Sequence, residues 1–140
     1  MPVFAKTIRH TSPPMKIQIT HIHEHQNALH VKLHSLLGDG IAQWDGLAPN
    51  IGEDLDVELD MDEVFSWQTN IMLSSDRTPS ISTLDSVTRI IAELIESTDD
   101  EFKALRLGNS IILIELDKPL PNKSGFVEVS KKIRLYPTAI

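Results

Sequence analysis

Three of the chain's six histidines alternate in His21-Ile22-His23-Glu24-His25, the one dense group of metal-ligating side chains in the sequence. Alternate residues of a strand share a face, so His21 and His23 can converge on one ion, with Glu24 or a carboxylate across a hairpin completing the set. Such a site would be the centre of a metal-dependent enzyme. Against that reading, His25 falls where a turn is expected and no second ligand group follows at a recognisable spacing. Solvated imidazoles on a hairpin rim account for the pattern equally well.

The second group is acidic. From Asp54 to Asp62 (Asp54-Leu55-Asp56-Val57-Glu58-Leu59-Asp60-Met61-Asp62) apolar and acidic residues alternate strictly, the pattern of a half-buried strand. Leu55, Val57, Leu59 and Met61 are expected in a core, with Asp54, Asp56, Glu58, Asp60 and Asp62 as a solvent-facing stripe. A slip of one residue would bury the carboxylates instead, so the burial cost fixes the register. Asp60 and Asp62 have the residue types for glycoside hydrolysis or a hard-cation site, but the alternation already explains them. There is no nucleophile elbow, phosphate-cradling glycine loop or zincin motif, so the sequence carries no catalytic signature and no cofactor is expected. Cysteine is absent, which excludes disulfides, thiolate ligands and a cysteine nucleophile.

Charge narrows the partner classes. The net charge is -7, which opposes the phosphate backbone and makes nucleic acid an unfavourable partner for the molecule as a whole. Its distribution is uneven: residues 33–76 hold ten acidic residues and no Lys or Arg, whereas residues 118–140 hold five basic residues and one acidic. Three readings follow. The leading one is a non-enzymatic binding module whose acidic strand face contacts a protein with a basic surface, as a small nuclease inhibitor or nucleic-acid mimic would. The second is a nucleic-acid-binding barrel using Lys118, Lys123, Lys131, Lys132 and Arg134, which requires an exposed aromatic on the same face. The third is the metal-dependent enzyme at His21 and His23. Trp44 and Trp67 flank the most acidic region and are expected to be core anchors rather than stacking platforms.

The elements that must position these groups read as short strands. Met15, Ile17 and Ile19 alternate inward, and Leu29, Val31 and Leu33 do so after a polar break at Glu24 to Asn27, which makes a hairpin. Gly38-Asp39-Gly40 is expected to be a turn, and Ser74 to Ser82 a loop. Leu84 to Glu96 is open to two readings. Apolar residues recur at helical spacing behind Ser82 and Asp85, yet Val87-Thr88-Arg89-Ile90-Ile91 is dense in β-branched residues, which favours a strand. Ile111 to Ile114 is expected to be buried on both sides or to cross a barrel, and residues 126–136 to form a final kinked strand.

Seven or eight short strands predict a mainly β fold, a small closed or partly open barrel of OB-like or SH3-like type, with a single helix at 84–96 as the open alternative. Residues 15–140 are expected to form that barrel, with residues 1–14 peripheral to it because Pro13-Pro14 interrupts any strand. The N-terminal stretch lacks the apolar run of a secretory leader, no segment is long and apolar enough to span a membrane, and a cytoplasmic location is expected. A faint echo links Leu55-Asp56-Val57-Glu58-Leu59 with Phe126-Val127-Glu128-Val129, too short to claim a duplication.

Overall fold

The computed structural model describes residues 14–131 and 133–137. Twelve strands and no helix are present among them: β1 (Met15–His25), β2 (Ala28–Ser35), β3 (Gly38–Trp44), β4 (Asp54–Asp60), β5 (Val64–Phe65), β6 (Ile71–Leu73), β7 (Ser80–Leu84), β8 (Val87–Ile95), β9 (Phe102–Leu107), β10 (Ser110–Leu116), β11 (Gly125–Lys131) and β12 (Ile133–Pro137). The peripheral placement expected for residues 1–14 lies outside the described residues, apart from an exposed Pro14.

Five strands close a barrel in the order β12-β4-β1-β2-β3, sealed by a parallel pairing of β12 with β3 from Ile133↔Ala42 to Leu135↔Trp44. Every other pair in it is antiparallel. This is the OB-like rather than the SH3-like arrangement of a small barrel. Its interior is filled by alternate residues, among them Ile17, Ile19, Val31, Leu33, Val57, Leu59 and Leu135, all buried.

Of the remaining strands, β7 bridges β3 and β8, and the other six form a second unit in the order β6-β11-β8-β9-β10-β5, whose edge strands β5 and β6 are joined by the short 66–70 turn. Strand for strand it repeats the first. Met15 faces Val57 and, three residues on, Gln18 faces His34; Ala92 faces Val127 and, three residues on, Ile95 faces Ala104. In each unit a fifth strand runs parallel to the third and antiparallel to the fourth. That strand is exchanged. After β4 the chain crosses over, and β5 and β6 line up with β10 and β11; after β11 it crosses back, and β12 lines up with β3 and β4. The sequence echo therefore marks equivalent strands, because Val57-Glu58-Leu59 and Val127-Glu128-Val129 both face a fifth strand, at Pro137-Tyr136-Leu135 and Leu73-Met72-Ile71 respectively. One contiguous buried cluster runs through both units.

Several expectations are corrected. At 84–96 the favoured strand reading holds and only the helix alternative falls: Asp85 (φ 52°) and Ser86 (φ 65°) sit in the left-handed region and close a two-residue hairpin between Leu84 and Val87. Burial then has period two, with Thr88, Ile90, Ala92 and Leu94 inside, while Leu84, which a helix would bury, is 55% exposed. The loop at 74–82 ends early because β7 begins at Ser80. The turn expected at Gly38-Asp39-Gly40 lies instead at Leu36-Leu37, and the glycines are strand residues pressed against β7. In β10, Ile112 and Ile114 are buried but Ile111 and Leu113 only half-buried, so one face of the apolar run meets the core.

The acidic strand is also corrected in part. Val57, Leu59 and Met61 are buried and Leu55 packs on the core from a half-buried position, as the alternation predicts. Asp60, expected in solvent, is 3% exposed. The outer face of β4 is therefore not all surface, and this strand also meets β10 where the chain crosses between the units. The Met61 amide donates to Asp60 Oδ1 at 3.0 Å, offsetting part of the cost of burying the carboxylate. Leu59→Ala is expected to destabilise by about 2 to 5 kcal/mol, and Glu58→Ala, half-buried on the opposite face, by about 0.5 kcal/mol or less. Denaturant midpoints check this, and equal effects would contradict the assigned faces.

Candidate functional site

The histidines owe their placement to a bulge. Ile19 faces Leu33 and His21 faces Lys32, so Thr20 is an extra residue, with its hydroxyl donating to the Lys32 carbonyl at 3.2 Å. The bulge switches the parity of β1. Met15, Ile17 and Ile19 point inward, then Ile22 packs on the core, which leaves His21, His23 and His25 facing out. Gln26 (φ 52°) and Asn27 (φ 63°) make the tight turn that follows, and the hairpin register sets His30 directly opposite His23.

His21 and His23, the pair singled out from sequence, line different hollows. His21 lies within 3.3 Å of the Thr20 hydroxyl and shares its hollow with Lys32, Asp39 and Thr83. His23 stacks on His30 with ring centroids 5.4 Å apart and planes 18° from parallel, and His25 meets His30 edge-on at 6.1 Å. These three rings border a hollow of about 330 Å³ over β3, completed by Ile41, Ala42, Gln43, Ser86, Thr88 and Ile133. Among the described residues no three His, Asp or Glu side chains converge on one point. The Thr88 hydroxyl donates to the Ile41 carbonyl at 2.6 Å and accepts from the Ile41 amide at 3.0 Å, so the second unit is fastened to β3 between its pairings with β7 and β12, beside the hollow.

The acidic residues divide three ways. Asp54 is exposed at the start of β4. Asp56 lies 3.9 Å from Lys16, and Asp62, just past the strand, pairs with Arg134 at 3.1 Å. Asp60 is buried. Arg134 also meets Asp45 at 3.3 Å, so the basic residue best placed on the barrel is engaged by carboxylates of the chain itself. Hydrogen bonding to Tyr136 holds the Arg134 guanidinium above its ordinary pKa against the opposing effect of burial, and the nearby Asp45 and Asp62 add smaller upward contributions. Burial pushes the Tyr136 phenol up, against the pull of Arg134. Of the other basic residues proposed from sequence, Lys118 and Lys123 are exposed on the stretch between β10 and β11, while the side chains of Lys131 and Lys132 lie outside the described residues. Trp44 is a core anchor as expected, its indole N–H donating to the Leu47 carbonyl at 2.8 Å, and Trp67 is half-buried.

That bond holds a loop to which the sequence reading assigned no role. Residues 45–53 join β3 to β4. They are further tied by Gly52 N to Ile19 O at 2.7 Å, Ile19 N to Glu53 O at 3.0 Å and Asn50 N to Glu53 Oε1 at 2.9 Å. On this fixed frame Leu47 is 92% and Ile51 65% exposed, beside Glu53 and Asp54. The Asp45-Gly46 and Pro49-Asn50 breaks mark a connection between strands here, but nothing in the spacing says that it is tied down with these two side chains outward.

Fold and site together define a small closed β barrel extended by a strand-exchanged second unit, with a rigid acidic loop at one place and an imidazole-bordered hollow at another. No protein-family model, no curated protein and no solved structure matches the chain. Among the described residues no helix is long and apolar enough to cross a membrane.

Proposed function

We propose that the protein is a non-enzymatic binding module that takes a protein partner with a basic surface, and that the contact is centred on the 45–53 loop and the Asp54 end of β4 rather than on the whole acidic strand. The observation that carries this reading is the exposure of Leu47 and Ile51 on a hydrogen-bonded loop flanked by Glu53 and Asp54. Aliphatic anchors surrounded by charge are the usual anatomy of a binding patch, and a preformed loop loses little entropy when it docks. The carboxylates steer a cationic partner and set its orientation, while the apolar pair contributes the burial. A nuclease or another nucleic-acid-binding protein has a surface of this complementary kind, which would make the module an inhibitor or a nucleic-acid mimic.

Capture from cell lysate by wild-type protein, by Leu47→Ser/Ile51→Ser and by Asp54→Asn tests the reading. The double variant is expected to lose the captured partner while keeping the wild-type melting curve, since both side chains are already in water. Asp54→Asn is expected to slow association and flatten its salt dependence, because surface charges act over about 8 Å at physiological ionic strength. Identical partner sets for all three proteins would remove the loop from consideration.

A further inference from the structure

We propose that the hollow over β3 is a second, separate binding site, for one planar heteroaromatic ring system of nucleobase size, taken as the free base or its nucleoside. Its volume, about 330 Å³, lies near the lower end for small-ligand sites and fits one such molecule. The His23 and His30 rings, stacked on one another at its border, each keep an outer face on which a further ring can stack, and His25 adds a ring set edge-on to His30. Imidazole faces stack on bases as other aromatic side chains do. Ile41, Ala42 and Ile133 make the apolar part of the lining, and the Gln43 amide and Ser86 hydroxyl supply a donor and acceptor pair and a rotatable hydroxyl for a ring edge. The Thr88 hydroxyl is already committed to the Ile41 backbone and takes no part.

Two alternatives fit less well. A metal ion must lie in the plane of each imidazole that binds it, and the near-parallel His23 and His30 rings turn their faces, not their nitrogen lone pairs, toward one another. A nucleic-acid strand needs a basic track, whereas among the described residues no Lys or Arg lines the hollow and the chain's net charge is -7. Among the described lining residues no cation is placed to meet a phosphate on the ligand.

The test is titration of the full chain with adenosine, with adenosine monophosphate and with zinc, each alone, following the histidine ring signals by NMR. Adenosine is expected to shift the His23, His25 and His30 signals saturably and to leave His34, held by Asp39 at 2.6 Å, unmoved. Adenosine monophosphate is expected to bind no more tightly. His30→Ala should weaken adenosine about tenfold or more by removing one stacking ring and the support it gives to His23. His23→Phe keeps a flat ring without ligating nitrogens and should stay within about threefold of wild type, which covers the case in which His30→Ala does not fold. No saturable response to adenosine, equal shifts at His34, or a zinc response abolished by His23→Phe in a protein indifferent to adenosine would each overturn the proposal. Stronger binding of the monophosphate would overturn recognition of the base alone. Loss of the protein partner described above leaves this titration unaffected, so the two readings fail separately.

Discussion

Leu135→Ala is expected to destabilise the protein by about 2 to 5 kcal/mol and to loosen both units, not the first barrel alone. Leu135 is fully buried in β12, opposite Leu59 of β4 and Trp44 of β3, and its carbonyl accepts from the Asp45 amide at 3.0 Å. Truncation leaves a cavity where the barrel closes. Because β12 continues directly from β11, and β4 continues into β5 and β6, a fifth strand that detaches drags on the neighbouring unit through the shared chain. Tryptophan fluorescence in a Trp67→Phe background, where Trp44 in the first barrel is the one reporter, and far-UV circular dichroism, reporting every strand, should therefore give coincident midpoints with and without Leu135→Ala. Two separated transitions would show that the units unfold independently.

Gly38→Ala is expected to cost about 2 to 4 kcal/mol, more than any other glycine substitution among the described residues, from backbone strain plus loss of a cross-strand contact. At φ 128° the position is strained for any L side chain, and an added Cβ would meet the Ile81 carbonyl oxygen at 1.9 Å, where neither backbone can yield without breaking the junction of β3 and β7. Gly52→Ala is the control. Its φ of 88° carries the strain but nothing lies within 4 Å of the new methyl group, so a cost of about 1 kcal/mol is expected. Denaturant midpoints compare them, and equal losses would mean that the approach of β7 to Gly38 contributes nothing.

The strands were legible because solvent acts on each residue separately. Alternation in β1, β2 and β4 records which side chains must leave water, and it placed Ile17, Val31, Val57 and Leu59 correctly. The hairpin at Gln26-Asn27, once located, makes His30 the partner of His23 by counting, so that half of the hollow was within reach of the sequence. What stayed hidden depends on chain segments far apart. Asp60 is buried at the end of β4, opposite Arg134 of β12 and on a strand that also meets β10, and local alternation holds no trace of neighbours so far along the chain. The Thr20 bulge moves three histidines to the outer face although threonine at that position has no bulge signature. Gly38 and Gly40 read as a turn because glycine suits turns, whereas here they admit a neighbouring backbone and side chain. Helical spacing over 84–96 lost to two residues, Asp85 and Ser86, that accept positive φ and break the period in its first turn. The exchanged fifth strands are a property of pairing alone, visible beforehand only as the Val-Glu-aliphatic echo in β4 and β11.

Residue-resolved native-state hydrogen exchange on wild type, Leu135→Ala and Ile71→Ala tests the strand exchange that positions both sites. Ile71 is the counterpart of Leu135 in the second unit, fully buried and facing Val129. The most protected amides of β1 to β3 and of β8 to β10 are expected to open with the same free energy in wild type, and each substitution should lower both sets by one common amount. A loss of protection confined to β1 to β3 in Leu135→Ala and to β8 to β10 in Ile71→Ala would contradict it, showing two barrels that are neighbours in the chain but not closed by one another.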